Sequence, residues 1–238
     1  MKKQSQSIRF QNPLKELTGF EWCLWIVSMC IVTAAYLLSP DRQYLTLIAS
    51  LIGESSIIFT AKGHVLGQGL TVVFAVLYAV IAWQFRYYGE MLTWLCMTAP
   101  MAVAAILAWL RHPFADTAEV EVGTLSKRQG VLLTVLTVGV TVGFYFILQA
   151  LGTANLLVST ISVATSFLTA CLVCLRSPYY ALGYACNDAV MIVLWILATL
   201  EELAYLPMIV CFVMFLLNDL YALLCWLRRK KRQAESIG

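Results

Sequence analysis

Apolar residues dominate this chain in long, nearly unbroken stretches, and polar residues gather in the short gaps between them. A membrane-crossing helix needs about 20 mostly apolar residues. Eight stretches meet that length approximately: 20–38, 44–61, 66–84, 90–110, 130–151, 154–175, 179–199 and 203–226. Most gaps are very short, running from Ser39 to Arg42, Lys62 to Val65, Gly152 to Thr153 and Arg176 to Pro178, so each joins antiparallel neighbours. The exception is 111–129, with Asp116, Glu119, Glu121, Lys127 and Arg128, which reads as a solvated surface loop. The pattern predicts an all-α polytopic membrane protein with eight transmembrane helices in one membrane domain spanning 1–238.

Composition agrees. Hydrophobic residues are 61% and charged residues 12% of the 238, against about 25% charged in ordinary soluble domains. A soluble fold of this length could not hide so much apolar surface, whereas lipid accepts it. The first apolar stretch is too long for a cleaved leader, and no small-residue cleavage site follows it. All eight cysteines fall within apolar stretches. Cys171 and Cys174 have metal-like spacing, but no second pair or nearby histidine completes a site, so they read as small apolar side chains.

Placing the N-terminus in the cytoplasm puts 14 of the 16 basic residues inside. Lys2, Lys3, Arg9 and Lys15 precede the first span, and Arg228, Arg229, Lys230, Lys231 and Arg232 follow the last. Only Arg42 and Arg86 fall outside. The positive-inside rule then predicts both termini in the cytoplasm and an even number of spans. The C-terminal cluster reads first as a topology anchor, with anionic lipid as its alternative partner.

Three spans, a linking span and three more spans would give two parallel repeats, because equivalent helices lie four apart and cross in the same direction. The scheme assigns 20–38 as an extra N-terminal helix, 44–110 as the first three-helix unit, 130–151 as the linker and 154–227 as the second unit. Ala108-Trp109-Leu110-Arg111 and Cys225-Trp226-Leu227-Arg228 close the two units alike, and each unit carries a Tyr-Tyr pair.

Ionisable groups inside hydrocarbon mark pathways or sites. Glu54, Asn187, Asp188, Asn218 and Asp219 all lie within spans, and Asp188 and Asp219, on different helices, could face a shared interior. The alternative is interhelical hydrogen bonding that only holds the bundle together. Glu201 and Glu202 read as a solvated outer turn. Tyr78, Trp94, Tyr180 and Tyr184 could stack on a flat heterocycle, while Trp22, Trp25, Trp83, Trp109 and Trp226 suit packing or an interface belt. Pro100 and Pro207 sit in spans, where proline frees carbonyls and permits a kink. No hydrolase, zinc-protease or phosphate-loop signature is present, and the two histidines, His64 and His112, lie at span ends. Asp188 and Asp219 lack the glycine-rich surroundings of an aspartyl protease pair. An enzyme is not expected, and no cofactor, metal or nucleic acid is implied.

The run Ser50-Leu51-Ile52-Gly53, Ala61-Lys62-Gly63, Leu77-Tyr78, Tyr88-Gly89-Glu90 and Pro100-Met101, ending at Trp109, resembles the first three-helix unit of the PnuC family. These are bacterial transporters of nicotinamide riboside. Arg176 to Trp226, including Asn218, resembles the second unit, so the likeness covers about 44–227. It implies a SWEET-like 3+1+3 core, facilitated diffusion of a vitamin-like solute across the bacterial inner membrane, and a homotrimer. The family's Trp-x-x-Trp pair falls on Ala181 and Tyr184, its binding asparagine on Phe74 and a glutamine on Trp94. Other members of the wider family resemble carriers of thiamine, riboflavin or deoxynucleosides.

The expectation is a uniporter for a small ring-bearing metabolite, nicotinamide riboside first. Trp94 and Tyr184 would stack on the ring, Asn187, Asp188 and Asn218 would bind polar groups, and Tyr78 would supply a wall or hydroxyl. Rival readings are a substrate-binding subunit of a larger uptake complex and an intramembrane enzyme.

Overall fold

The computed structural model describes residues 12–39, 43–84, 87–115, 117–201 and 203–236. Lys2, Lys3, Arg9, Arg42, Arg86, Asp116 and Glu202 lie outside the described residues. Eight helices are long and apolar enough to cross a membrane: α1 (Gly19–Leu38), α2 (Tyr44–Ala61), α3 (Val65–Gln84), α4 (Tyr88–Leu110), α5 (Lys127–Ala150), α6 (Leu156–Cys174), α7 (Tyr180–Glu201) and α8 (Leu206–Glu235). Among the described residues there is no strand, only two isolated bridges. The observed bounds fall within about three residues of the sequence pattern, except at the finish of α8. That helix continues past Trp226 because Arg228–Gln233 are good helix formers with partners of their own.

Local chemistry sets the helix ends. Thr18 and Glu21 form a capping box on α1, and Ser126 and Gln129 form one on α5. Gly63, at φ 68°, turns the chain from α2 into α3. Gly67 lets α3 touch α2, since a Cβ there would stand 2.4 Å from the Thr60 backbone nitrogen. Gly183 does the same for α7, where a Cβ would stand 2.3 Å from the Thr169 hydroxyl of α6.

Packing closes α2, α3, α4, α6, α7 and α8 into a ring, with α1 laid against α2 and α8 and α5 resting chiefly on α6. Two apolar clusters fill the ring. One lies toward the near end, where α1 begins and α8 finishes, and contains Trp109, Tyr180 and Trp226. The other lies toward the far end and contains Phe74, Tyr78, Trp94, Trp195 and Phe212. Trp109 and Trp226 are buried packing residues rather than an interface belt. Their indole N–H groups cross over: Trp109 donates to the Val173 carbonyl on α6 (3.0 Å) and Trp226 to the Thr60 carbonyl on α2 (2.9 Å).

The segment between α4 and α5 corrects the expectation of a merely solvated loop. Val120 is buried, its N–H donates to the Gly63 carbonyl, and the Gly123 N–H donates to the Arg176 carbonyl. Gln233 on α8 grips it twice, accepting from the Val122 N–H and donating to the Val120 carbonyl. Glu119 pairs with Arg229 and Arg232. Arg229 is buried, lies over the Trp226 ring and donates to the Ala61 carbonyl, so the basic cluster is partly a structural lock and not only a topology anchor.

Candidate functional site

Between the two apolar clusters lies a cavity of about 40 Å³. Four of the five lining helices contribute residues at helical spacing, so each presents one continuous face to the cavity, and α4 contributes a single residue. Gly53, Ser56, Ile57 and Thr60 come from α2, Thr71 and Phe74 from α3, and Trp94 from α4. Tyr180, Tyr184, Asn187 and Asp188 come from α7, and Phe215 and Asp219 from α8.

The wall is largely aromatic. Phe74 meets Trp94 edge-on with ring centroids 5.1 Å apart, and meets Phe215 at 5.5 Å. Tyr180 stands edge-on to Tyr184 at 6.0 Å, with Trp226 beneath it at 4.9 Å. The polar part is the face-to-face pair Asp188 and Asp219, within hydrogen-bonding reach of each other. One Asp188 oxygen has no hydrogen-bond partner. Asn187 is fixed from behind, its amide oxygen accepting from Thr165 (2.8 Å) and Ser166 (2.9 Å) on α6. Its amide nitrogen is therefore the end available to a ligand. No lysine, arginine or histidine lines the cavity among the described residues.

Trp94 sits in an unusual backbone. Residues Thr93–Thr98 form a π-helical turn, in which the Ala99 N–H donates to the Trp94 carbonyl. Pro100, immediately after, has no N–H of its own, so the ladder is interrupted there. Such turns sit frequently at functional sites because they re-aim one side chain.

The structure brings Trp94, Tyr184, Asn187 and Asp188 together and leaves two expected residues out. Tyr78 is buried behind Trp94, with its hydroxyl accepting from the Trp195 indole N–H (3.1 Å). Asn218 faces away from the cavity and ties three helices, donating to Ser28 on α1, Glu54 on α2 and the Met214 carbonyl, each at 2.9 Å. Its sequence neighbour Asp219 takes the cavity position, because adjacent helical residues point about 100° apart. Glu54 is absorbed by the same tie. A second buried acid, Glu21, is held by Lys62 (3.1 Å) and Tyr221 (3.0 Å). Ser56, Thr60, Thr71 and Phe215 were missed by sequence reasoning. The signal that could have found them is their i, i+3, i+4 spacing with Gly53, Phe74 and Asp219.

A family model described as nicotinamide mononucleotide transporter matches residues 43–228. This chain belongs to that family, the PnuC family. It is similar to the nicotinamide riboside transporter PnuC of Neisseria mucosa, at 27% identity over 223 residues, covering 91% of this chain and 84% of the relative. It is also similar to the nicotinamide riboside transporter PnuC of Haemophilus influenzae, at 26% identity over 213 residues, covering 88% and 90%. A crystal structure described as the vitamin B3 transporter PnuC superposes with a TM-score of 0.80 at 26% identity, covering 91% of this chain and 94% of that one. The comparisons therefore make this a multi-pass membrane transporter of the PnuC family. Phe74, Trp94 and Tyr184 line this cavity, whereas Ala181 is buried in the near-end cluster.

Proposed function

We propose that this transporter carries a positively charged, ring-bearing riboside, nicotinamide riboside first, by facilitated diffusion. The observation that carries the reading is a central cavity lined by five aromatic rings and two carboxyl groups, with no basic side chain among the described lining residues. Aromatic faces attract a cationic ring, more strongly when both are desolvated. Asp188 and Asp219 supply the opposite charge, and the Asn187 amide nitrogen meets a ribose oxygen. Riboflavin and deoxynucleosides carry no positive ring and gain nothing from the acid pair. Thiamine shares the cationic ring, but the curated relatives are named for nicotinamide riboside.

The same chemistry argues against the mononucleotide in the family description. A phosphate brings about two negative charges. Beside Asp188 and Asp219 it would find repulsion and no counter-charge. Purified protein should bind nicotinamide riboside at least ~100-fold more tightly than nicotinamide mononucleotide, a difference of about 2.7 kcal/mol. Calorimetric titration with both ligands checks this; equal affinities would refute the charge argument.

A void of about 40 Å³ holds one or two waters and no riboside. Apolar clusters flank the cavity on both sides, so a whole riboside fits only if one cluster separates. Differential affinity for open and closed states is what lets a ligand drive that change. The crossed indole bonds of Trp109 and Trp226, and the matching close contacts at Gly67 and Gly183, support two parallel units, 44–110 and 154–227, in a SWEET-like arrangement that rocks about the cavity. The basic-residue count supports a cytoplasmic near end in a bacterial inner membrane, and the family resemblance supports a homotrimer.

A further inference from the structure

One buried acid is used by neither the cavity nor the helix ties. Glu90, the third residue of α4, is completely buried, and the Ser162 hydroxyl and Trp94 indole stand within reach of its carboxyl without forming a well-aligned hydrogen bond. On the same turn the Thr93 hydroxyl is buried without a partner, and the buried Trp94 indole N–H has Glu90 as its nearest acceptor, without a well-aligned bond. Positions 90, 93 and 94 share one helix face. Three buried and poorly satisfied polar groups on one face are expensive, and such groups are retained at solute pathways.

Placement gives them a role. Trp94 lines the cavity, and Glu90 lies one turn from it toward the far end. The groups facing Glu90 are Ser162 from α6, Tyr78 from α3, and Tyr87 and Trp94 on either side of it in the chain, with no basic side chain among the described residues. Tyr87 in turn stands within reach of Asn155, and the exposed Glu201 lies in its electrostatic neighbourhood at the far end. Acids thus stand at the mouth (Glu201), midway (Glu90) and at the centre (Asp188 and Asp219). Trp94, on its π-turn, is the ring between the last two.

We propose that Glu90 is a second, transient binding station for the cationic ring of the solute, between the far-end mouth and the central cavity. This rests on the cationic-riboside reading. The solute pairs with Glu90 once the far-end cluster parts. Rotation of Trp94 then passes it to Asp188 and Asp219. A station on the route speeds arrival and departure alike, so it alters rates and leaves equilibrium affinity in place.

The test compares wild-type protein with Glu90→Gln, a neutral side chain of the same shape. Two ligands are used: nicotinamide riboside and its reduced, uncharged dihydro form. Stopped-flow tryptophan fluorescence gives association rates, calorimetry gives Kd, and proteoliposomes give uptake. The expected result is a fall of about tenfold in the association rate and uptake of the cationic form. Its Kd should stay within about twofold, and the neutral form should be unaffected. Equal losses for both forms, or a parallel loss of affinity, would mean a structural role and overturn the proposal. So would an unchanged association rate for the cation. Wild-type protein that binds neither form would bring down the cationic-riboside reading and this inference together.

Discussion

Asn218 and Asp219 are neighbours with opposite jobs. Asn218 spends both amide hydrogens on Ser28 and Glu54 on other helices and a share on its own backbone. Removing it leaves a buried carboxyl without a donor. Asn218→Ala should therefore lower stability by about 1–2 kcal/mol, read as a lower melting temperature in detergent, with ligand affinity nearly unchanged. An affinity loss of tenfold without a stability loss would mean that Asn218 faces the solute after all. His64 gives a residue-scale pH signature. It lies in the turn between α2 and α3, where burial pushes its pKa below the ordinary value. Its Nδ1 accepts from the Leu66 N–H, a role only the neutral ring can fill. The unfolded chain therefore takes up a proton at higher pH than the folded protein does. Stability from this group is complete above the unfolded pKa of about 6.5 and declines as pH falls through that value toward the lower folded one. Melting temperature measured from pH 7.5 to 5 should fall, and His64→Gln should flatten that fall.

At the scale of helices, close approach and broken regularity carry the architecture. Gly67 and Gly69 are two residues apart on α3, yet a Cβ at 67 would strike Thr60, while one at 69 would meet nothing within 4 Å. Gly67→Ala should abolish monodisperse protein on size exclusion, and Gly69→Ala should be tolerated or mildly stabilising, because alanine favours helix over glycine. The helices themselves were legible because hydrocarbon allows few alternatives to a continuous helix. The interruption of α4 was legible only as Pro100. The π-turn before it depends on packing against α3 and α6, which one-dimensional hydropathy does not carry. The 111–129 segment is largely exposed, as read, but its tie to α8 was not legible for a related reason. Its charges looked solvated in sequence, whereas Glu119 answers Arg229 and Arg232 more than a hundred positions later.

The whole molecule is a ring of six helices, flanked by α1 and α5, around a central polar-aromatic cavity. Its fold class could be read from apolar lengths alone, and four of the six expected site residues reach the cavity: Trp94, Tyr184, Asn187 and Asp188. What the sequence hid was helical phase. Tyr78 and Asn218 sit on core helices at the right depth but face a neighbouring helix. Glu90 stood in the sequence only as part of the run Tyr88-Gly89-Glu90 near a span end, and only packing shows it completely buried. The most direct measurement is uptake of labelled nicotinamide riboside into proteoliposomes by wild-type protein and by Asp188→Asn. Wild-type uptake should saturate and stop at equal concentrations on both sides, and the variant should lose at least about tenfold while remaining monodisperse. Undiminished uptake by Asp188→Asn, or accumulation above the outside concentration without an imposed gradient, would contradict a passive route through this cavity.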